Sequence, residues 1–259
     1  MNKQLLILFV AQFSMVSCER DNNESNLSYE ERIKDILDCM NTPRPEGSYN
    51  YPVLPGMEEW KSFNSTQEMI DACQVPESQL KLQSTQAVFQ ALWEYPFFIE
   101  ATSRSDHYQM DFETIFSNNS AYSEFITRQN AGECLLSRLL IVKPLFPVYP
   151  KVLELFISQP IFLNQLTSDE KKEVVSISLK NDSLRQVSLN TAGGRMREVT
   201  WLLIGRTMYY ANYKPFVEVV EQSVQLKTFI TSSVVNVSSQ TEYDQFFQFI
   251  ISSGKTYQK

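Results

Sequence analysis

Four stretches of the chain share one pattern: a Ser or Thr followed three residues later by Glu, and then by apolar residues at helical spacing. They begin at Ser28, Ser65, Thr167 and Ser239. In such a capping box the hydroxyl and the carboxylate each accept a hydrogen bond from a free backbone N–H at the start of a helix. Because prolines mark the breaks and no long strand-like run occurs, the sequence predicts an all-α body.

Capping residues, prolines and turn residues divide the rest of the chain into further helices. Residues 41–56 hold four of the eleven prolines and are expected to form a loop. A Gly193-Gly194 turn is expected before a long helix that ends near Asn212. Further helices are expected from Ser84 to before Pro96, over 111–116, 121–128 and 132–142, between Pro150 and Pro160, from Pro215, and over 226–234.

One of the predicted helices has a competing interpretation. The capping box at Thr167 opens a segment expected to be helical to about Lys180. Within it, Val175, Ile177 and Leu179 alternate with polar residues, which is the period of a strand. The cap and the charged residues that follow it favour the helix. The whole body, residues 28–259, is expected to be an irregular helical bundle or solenoid-like helix pairs, with two subdomains joined near 143–160 as an alternative to one.

Composition excludes several classes of protein. With 43% apolar and 20% charged residues the chain is not expected to be disordered. Its net charge of −7 argues against binding to nucleic acid, which requires clustered Lys and Arg. The single histidine, His107, excludes metal sites that need two, and it is expected to be a surface residue. We therefore expect neither a metal nor a cofactor.

The N-terminus resembles a bacterial lipoprotein signal peptide over residues 1–17. Lys3 precedes an apolar run that is too short to span a bilayer but typical of a signal peptide. Met15-Val16-Ser17-Cys18 resembles a lipobox, in which the Cys is acylated and becomes the first residue of the mature protein. Residues 18–27 then form a polar tether. Because Glu19, not Asp, follows the Cys, the resemblance implies the outer membrane, on its periplasmic or its outer side.

Several segments resemble a family of Bacteroidetes-type envelope lipoproteins. The resemblance spans roughly residues 50–250. It is carried by VLPGMEEW at 53–60, ACQVP at 72–76, YPFF at 95–98, LLIGR at 202–206 and ANYKPF at 211–216. The resemblance implies a helical body behind a lipid anchor. It implies no particular activity and no site residues.

Cysteines other than Cys18 are expected to be buried thiols. Cys39, Cys73 and Cys134 each lie in an apolar periodic run and match no zinc spacing. Their odd number leaves room for at most one disulfide, either Cys39–Cys73 or Cys73–Cys134, which an oxidising envelope would permit.

No catalytic motif is complete. Ser168-x-x-Lys171 matches the first element of penicillin-binding enzymes, but the other two elements are missing. Gly254-Lys255-Thr256 resembles the end of a phosphate-binding loop, but its first glycine is absent. Carboxylate pairs such as Asp111 with Glu113, or Glu58 with Glu59, suit glycoside hydrolysis only if they meet in a cleft. We therefore assign no catalytic residue.

Aromatic residues provide the remaining candidates. The cluster of Trp93, Tyr95, Phe97 and Phe98 is expected in the core, whereas Tyr209, Tyr210 and Tyr213 are the candidate ligand-binding residues. The sequence thus favours a membrane-anchored lipoprotein whose helical body binds or scaffolds an envelope protein or an extracellular ligand. The alternative is a carboxylate-dependent hydrolase that acts on envelope or extracellular polymers.

Overall fold

The computed structural model describes residues 44–102, 104–105, 107–142, 149–188 and 193–259; for 187–188 and 193–196 it describes the backbone alone. The signal peptide, Cys18, the tether, the capping box at Ser28 and Cys39 lie outside these residues. No strand occurs within the described part of the chain, so the predicted all-α class is confirmed. The α-helices there are Glu58–Ser62 (α1), Thr66–Ala72 (α2), Glu77–Leu80 (α3), Thr85–Trp93 (α4), Tyr108–Phe116 (α5), Ser120–Phe125 (α6), Ala131–Ile141 (α7), Tyr149–Ile157 (α8), Pro160–Leu163 (α9), Ser168–Ser188 (α10), Gly193–Tyr210 (α11), Lys214–Gln222 (α12), Val224–Ser232 (α13) and Gln240–Tyr257 (α14), with a 3₁₀ helix at Phe98–Thr102.

Three of the four capping boxes are described, and all three start helices as predicted. At α10 the Glu170 N–H donates to Thr167 Oγ1 at 3.3 Å, and the Thr167 N–H donates to Glu170 Oε2 at 2.7 Å. At α2 the carboxylate of Glu68 reaches one residue further back and accepts from the Asn64 N–H at 2.7 Å. Each box therefore satisfies backbone donors that the first turn leaves without an intrahelical partner.

Several boundary predictions were wrong: the helices expected over 111–116 and 121–128 are Tyr108–Phe116 and Ser120–Phe125, and two larger errors lie between residues 180 and 194. Helix α10 continues to Ser188 and does not end near Lys180, and the strand-like period within it has no counterpart. Ser178, one of the alternating polar residues, is buried and donates to the Val174 carbonyl at 2.7 Å, which removes the cost of burying its hydroxyl. Gly193 and Gly194 form the first residues of α11 and not a turn before it.

Helix α8 lies at the centre of the core. All nine of its residues are buried, and it contacts α7, α9, α11 and the 3₁₀ helix. Its Phe156 lies 4.7 Å from Phe116 and 4.8 Å from Phe112, measured between ring centroids, and it also contacts four other aromatic rings. Such edge-to-face contacts add to the free energy of burying the rings. The predicted core cluster is confirmed: Trp93, Tyr95, Phe97 and Phe98 are all buried.

None of the described helices combines the length and the apolar character that crossing a bilayer requires.

Candidate functional site

The predicted ligand-binding tyrosines follow one another at the end of α11. This helix ends in a Schellman motif: Asn212 adopts a left-handed conformation (φ 53°), and the Tyr213 N–H donates to the Met208 carbonyl at 3.0 Å. The Asn212 N–H donates to the Tyr209 carbonyl, also at 3.0 Å. The motif ends α11 at Tyr210, and Tyr213 follows after Ala211 and Asn212.

These tyrosines are half-buried and held by specific contacts. The rings of Tyr209 and Tyr210 are perpendicular with centroids 5.5 Å apart, and Tyr213 lies 5.2 Å from Tyr257 of α14. We call these two pairs of rings, Tyr209 with Tyr210 and Tyr213 with Tyr257, the tyrosine surface. All four pack against the core with part of the ring exposed. They therefore provide contact area whose rotamers are already restricted, a property of aromatic residues in binding surfaces.

A polar chain borders the tyrosine surface. The Tyr209 hydroxyl donates to Glu221 Oε1 at 2.6 Å, and Lys227 Nζ lies 2.6 Å from Glu221 Oε2. The bonds from Lys227 and Tyr209 lower the pKa of the exposed Glu221 carboxyl, because they favour its charged form. The same bond raises the pKa of Tyr209, whose hydroxyl must keep its proton to donate. Glu221 is thus an anion held in place beside the half-buried ring of Tyr209.

A second feature, a buried polar network, lies between α8, α10 and α11. The Glu154–Arg185 pair is fully buried, with Arg185 Nη1 at 2.7 Å from Glu154 Oε2. The Thr200 hydroxyl donates to the same carboxylate oxygen at 2.7 Å, and Arg185 contacts Thr200 as well. Asn181 donates to Glu154 Oε1 at 3.4 Å. Because one cation meets one anion, this part of the network is neutral, as burial requires.

A neighbouring ion pair continues the network along α10 and α11. Arg197 Nε and Nη2 donate to the two oxygens of Asp182 at 2.7 and 3.0 Å, and the Trp201 indole N–H donates to Asp182 Oδ1 at 2.8 Å. The guanidinium carbon of Arg197 also lies 4.7 Å from the Trp201 ring centroid. Planar bidentate pairs and stacking on an indole are both typical of arginine.

The buried polar network was not predicted from the sequence. Residues 181–188 contain several polar side chains and were expected to follow the helix, not to extend it. One signal was present, because Glu154 interrupts the apolar run of a segment between two prolines, where a charged residue needs a buried partner. The partner itself could not be predicted, because it lies on another helix.

Arg206 of α11 connects three other parts of the chain: the end of α13, α5 and the residue that follows α8. Its Nε donates to the Ile230 carbonyl at 2.7 Å and its Nη2 to the Thr231 carbonyl at 3.1 Å, both in the last turn of α13. Its Nη1 donates to Gln109 of α5 at 2.8 Å and to Ser158, after α8, at 3.4 Å. The guanidinium thus binds carbonyls that the end of α13 leaves free, at the negative end of the helix dipole. Burial lowers the pKa of Arg206 to about 10.

The carboxylates considered for hydrolysis occupy different surroundings. Asp111, in the first turn of α5, is buried and accepts from the Ser105 N–H at 2.8 Å and the Ser105 hydroxyl at 3.0 Å, just before that helix. Glu113 is exposed and bound by the Gln109 amide. Glu58 and Glu59 are exposed in the first turn of α1. Asp111 therefore has a structural role, whereas Glu113, Glu58 and Glu59 are acids on the surface of their helices.

The other motif residues have structural positions. Ser168 and Lys171 lie in the first turn of α10, and Gly254 is buried within α14, where no loop could surround a phosphate. His107 is exposed and precedes α5, as predicted for a surface residue. Within the described ranges no group of three His, Cys, Asp or Glu residues could hold a metal ion.

The described cysteines are buried thiols. Cys73 and Cys134 are both free thiols. Neither of the disulfides that the sequence left open, Cys39–Cys73 and Cys73–Cys134, is therefore formed. Burial raises the pKa of each thiol to about 12, because an apolar environment disfavours the thiolate. Both side chains therefore serve as small apolar residues of the core.

Comparison of the chain with protein-family models, with curated proteins and with solved structures found no match.

Proposed function

We propose that this chain is a lipoprotein anchored in the outer membrane through acylated Cys18, and that its helical body binds or scaffolds a partner. The partner is an envelope protein or an extracellular ligand. The anchor rests on the lipobox and on the resemblance to envelope lipoproteins. One observation carries the binding role: the tyrosine surface presents half-exposed rings whose rotamers are restricted.

Conformational entropy favours binding through side chains that are already held in place. A side chain that becomes fixed on binding costs roughly 0.5–1.5 kcal/mol, and a side chain already held by its neighbours avoids most of that cost. Tyr209 is held by its hydrogen bond to Glu221, and Tyr213 by its contact with Tyr257. Tyrosine also combines an apolar ring with a hydroxyl, which suits a surface that is wet before binding and dry afterwards.

The hydrolase alternative has no comparable support. Among the acids considered for it, Asp111 is committed to Ser105, and Glu58 pairs with Lys61 at 2.6 Å on an exposed face. A carboxylate-dependent glycoside hydrolase generally needs two carboxyl groups about 5–10 Å apart that flank the glycosidic bond.

Site-specific photo-cross-linking in living cells tests the binding role. A photoreactive phenylalanine analogue is placed at Tyr213 or Tyr257, and, as the control, at the exposed Gln79 of α3. We expect one discrete cross-linked product from the tyrosine positions and none from Gln79. Replacing Tyr209 by Ala in the Tyr213 variant should weaken the product, whereas Tyr209→Phe should preserve most of it because the ring remains. Equal products from all positions, or none from the tyrosines, would contradict the binding role.

Protease treatment of intact cells decides between the two sides of the outer membrane. Digestion of the body in intact cells would direct the search to extracellular ligands. Protection until lysis would direct it to envelope proteins of the periplasm.

A further inference from the structure

Arg138 lies on α7, which contacts α4, the helix of Phe89 and Trp93. Its side chain is 6% exposed. Its guanidinium carbon lies 5.4 Å from the ring centroid of Trp93 and 5.7 Å from that of Phe89. Ring faces attract a cation, but they accept no conventional hydrogen bond from its N–H groups.

The hydrogen bonds of Arg138 are incomplete within the described part of the protein. Nη2 donates to Gln90 Oε1 at 3.0 Å, whereas the buried Nη1 meets no acceptor among the described residues. The indole N–H of Trp93 is also buried and also meets no acceptor there. Two donors on side chains that contact each other thus lack acceptors. Buried donors nearly always have an acceptor, so each exception requires a physical explanation.

The charges around Arg138 are also unbalanced. The acid nearest along the hydrogen-bonded chain is Glu94, which accepts from Gln90 Nε2 at 2.9 Å. Arg44 already pairs with Glu94 through Nε at 2.8 Å and Nη2 at 3.1 Å. Arg44, Glu94 and Arg138 together therefore carry one net positive charge. Burial lowers the pKa of Arg138, which is the direction expected for a guanidinium without a full counter-charge.

We propose that a small monovalent anion of halide size binds between α4 and α7, held by Arg138 Nη1 with the Trp93 indole N–H as its second donor. An anion only accepts hydrogen bonds and supplies the missing negative charge. A water molecule would accept from the same donors, but its own two hydrogens would then need acceptors beside the rings of Phe89 and Trp93. An anion thus satisfies both the donors and the charge.

Bromide provides the direct test, because it scatters X-rays anomalously and has nearly the size of chloride. Crystals of the protein soaked in sodium bromide should show an anomalous peak in contact with Arg138 Nη1. In solution, the melting temperature should rise with chloride or bromide and then level off, relative to a bulky organic sulfonate at equal ionic strength, because a ligand that binds only the folded state stabilises it.

Variants distinguish this site from general salt effects. Arg138→Gln should abolish the halide-specific rise, and Trp93→Phe should weaken halide binding by about tenfold, the factor that 1.4 kcal/mol represents. Arg128→Gln is the control: Arg128 is a half-buried arginine already paired with Glu124 at 2.7 Å, and its loss should leave the halide effect unchanged. If Arg138→Gln does not fold, the anomalous map of the unaltered protein decides. No bromide peak at Arg138, or a halide effect that persists in Arg138→Gln, would overturn the proposal.

Discussion

At the scale of single residues, the buried charges of the described chain are held by opposite charges, by ring faces and carbonyls, or by neutral hydrogen-bond donors, as at Asp111. Glu154 and Arg185 are fully buried, and Thr200 adds a third group to the pair. A buried ion pair of this kind adds little net stability compared with apolar residues of the same size. Removing one partner, however, leaves the other buried without a counter-charge. The Glu154–Arg185 pair therefore matters more for how α8, α10 and α11 align than for the free energy of unfolding.

The first prediction concerns this pair. Glu154→Gln should lower the free energy of unfolding by about 3–5 kcal/mol, because it leaves the Arg185 guanidinium buried without its anion. The double variant Glu154→Leu with Arg185→Met should recover most of that loss, since it buries no charge. Urea unfolding of the two variants checks this. A double variant as unstable as the single one would show that the pair itself stabilises the fold.

The second prediction concerns the buried thiols. Cys73 and Cys134 have pKa values raised to about 12, so the reactive thiolate is scarce at pH 8. Alkylation of the folded protein at pH 8, mapped by mass spectrometry, should leave both residues unmodified for hours and label them within minutes in urea. Rapid labelling of either cysteine in the folded state would contradict its burial.

At the scale of helices, close approach explains several residue choices that patterns do not reveal. A Cβ on Gly132 of α7 would lie 2.7 Å from the backbone carbonyl oxygen of Phe162 in α9. A Cβ on Gly205 of α11 would lie 2.5 Å from Ile230 Cδ1, the movable end of a side chain. Glycine at these two positions therefore reflects the distance between helices and not flexibility.

The third prediction follows from that difference. Gly132→Ala should destabilise the protein by about 1–3 kcal/mol, because the backbone carbonyl cannot move aside and overpacking outweighs the gain in helix propensity. Gly205→Ala should cost less, since Ile230 can change its rotamer. Thermal and urea unfolding of both variants measure the order. A larger loss at Gly205 would show that the contact between α11 and α13 is the more rigid one.

The limits of prediction from sequence also appear at this scale. Local hydrogen bonding determines where a helix starts, so the boxes at Ser65, Thr167 and Ser239 located three helices correctly. The end of α10 depends on Asp182 and Arg185, whose partners lie on other helices. These contacts outweigh a polar composition that is typical of loops. For the same reason the sequence suggested tyrosines as binding residues but gave no sign that Tyr257 would join them.

At the scale of the whole molecule, the body is built around one buried helix, α8, with aromatic rings on one side and the buried polar network on the other. The tyrosine surface, its candidate binding site, lies at and just after the C-terminal end of α11 and near the C-terminal end of α14. Anchoring through Cys18 would hold this body near a membrane and raise its effective concentration toward partners there. The predicted division near 143–160 stays a prediction, although α8, which lies in that stretch, contacts helices on both sides of it in the chain.

The fourth prediction concerns alkaline pH. Burial raises the pKa of Cys73, Cys134 and Tyr122 to about 12, and that of Tyr149 further. In the unfolded chain these groups lose their protons from about pH 9–10, whereas the folded protein keeps them to about 12. The free energy of unfolding should therefore be unaffected by these groups below pH 9 and fall steadily as the pH rises to 12. Urea unfolding at several pH values checks this, and a constant midpoint up to pH 11 would contradict it.

Mass spectrometry of the mature N-terminal peptide, isolated from the membrane fraction, tests whether a lipid anchors this protein at Cys18. We expect the peptide to begin at Cys18 and to carry the mass of several acyl chains, and we expect Cys18→Ser to abolish both processing and membrane attachment. A mature protein that begins elsewhere, or that begins at Cys18 without acyl chains, would contradict a lipid-anchored function.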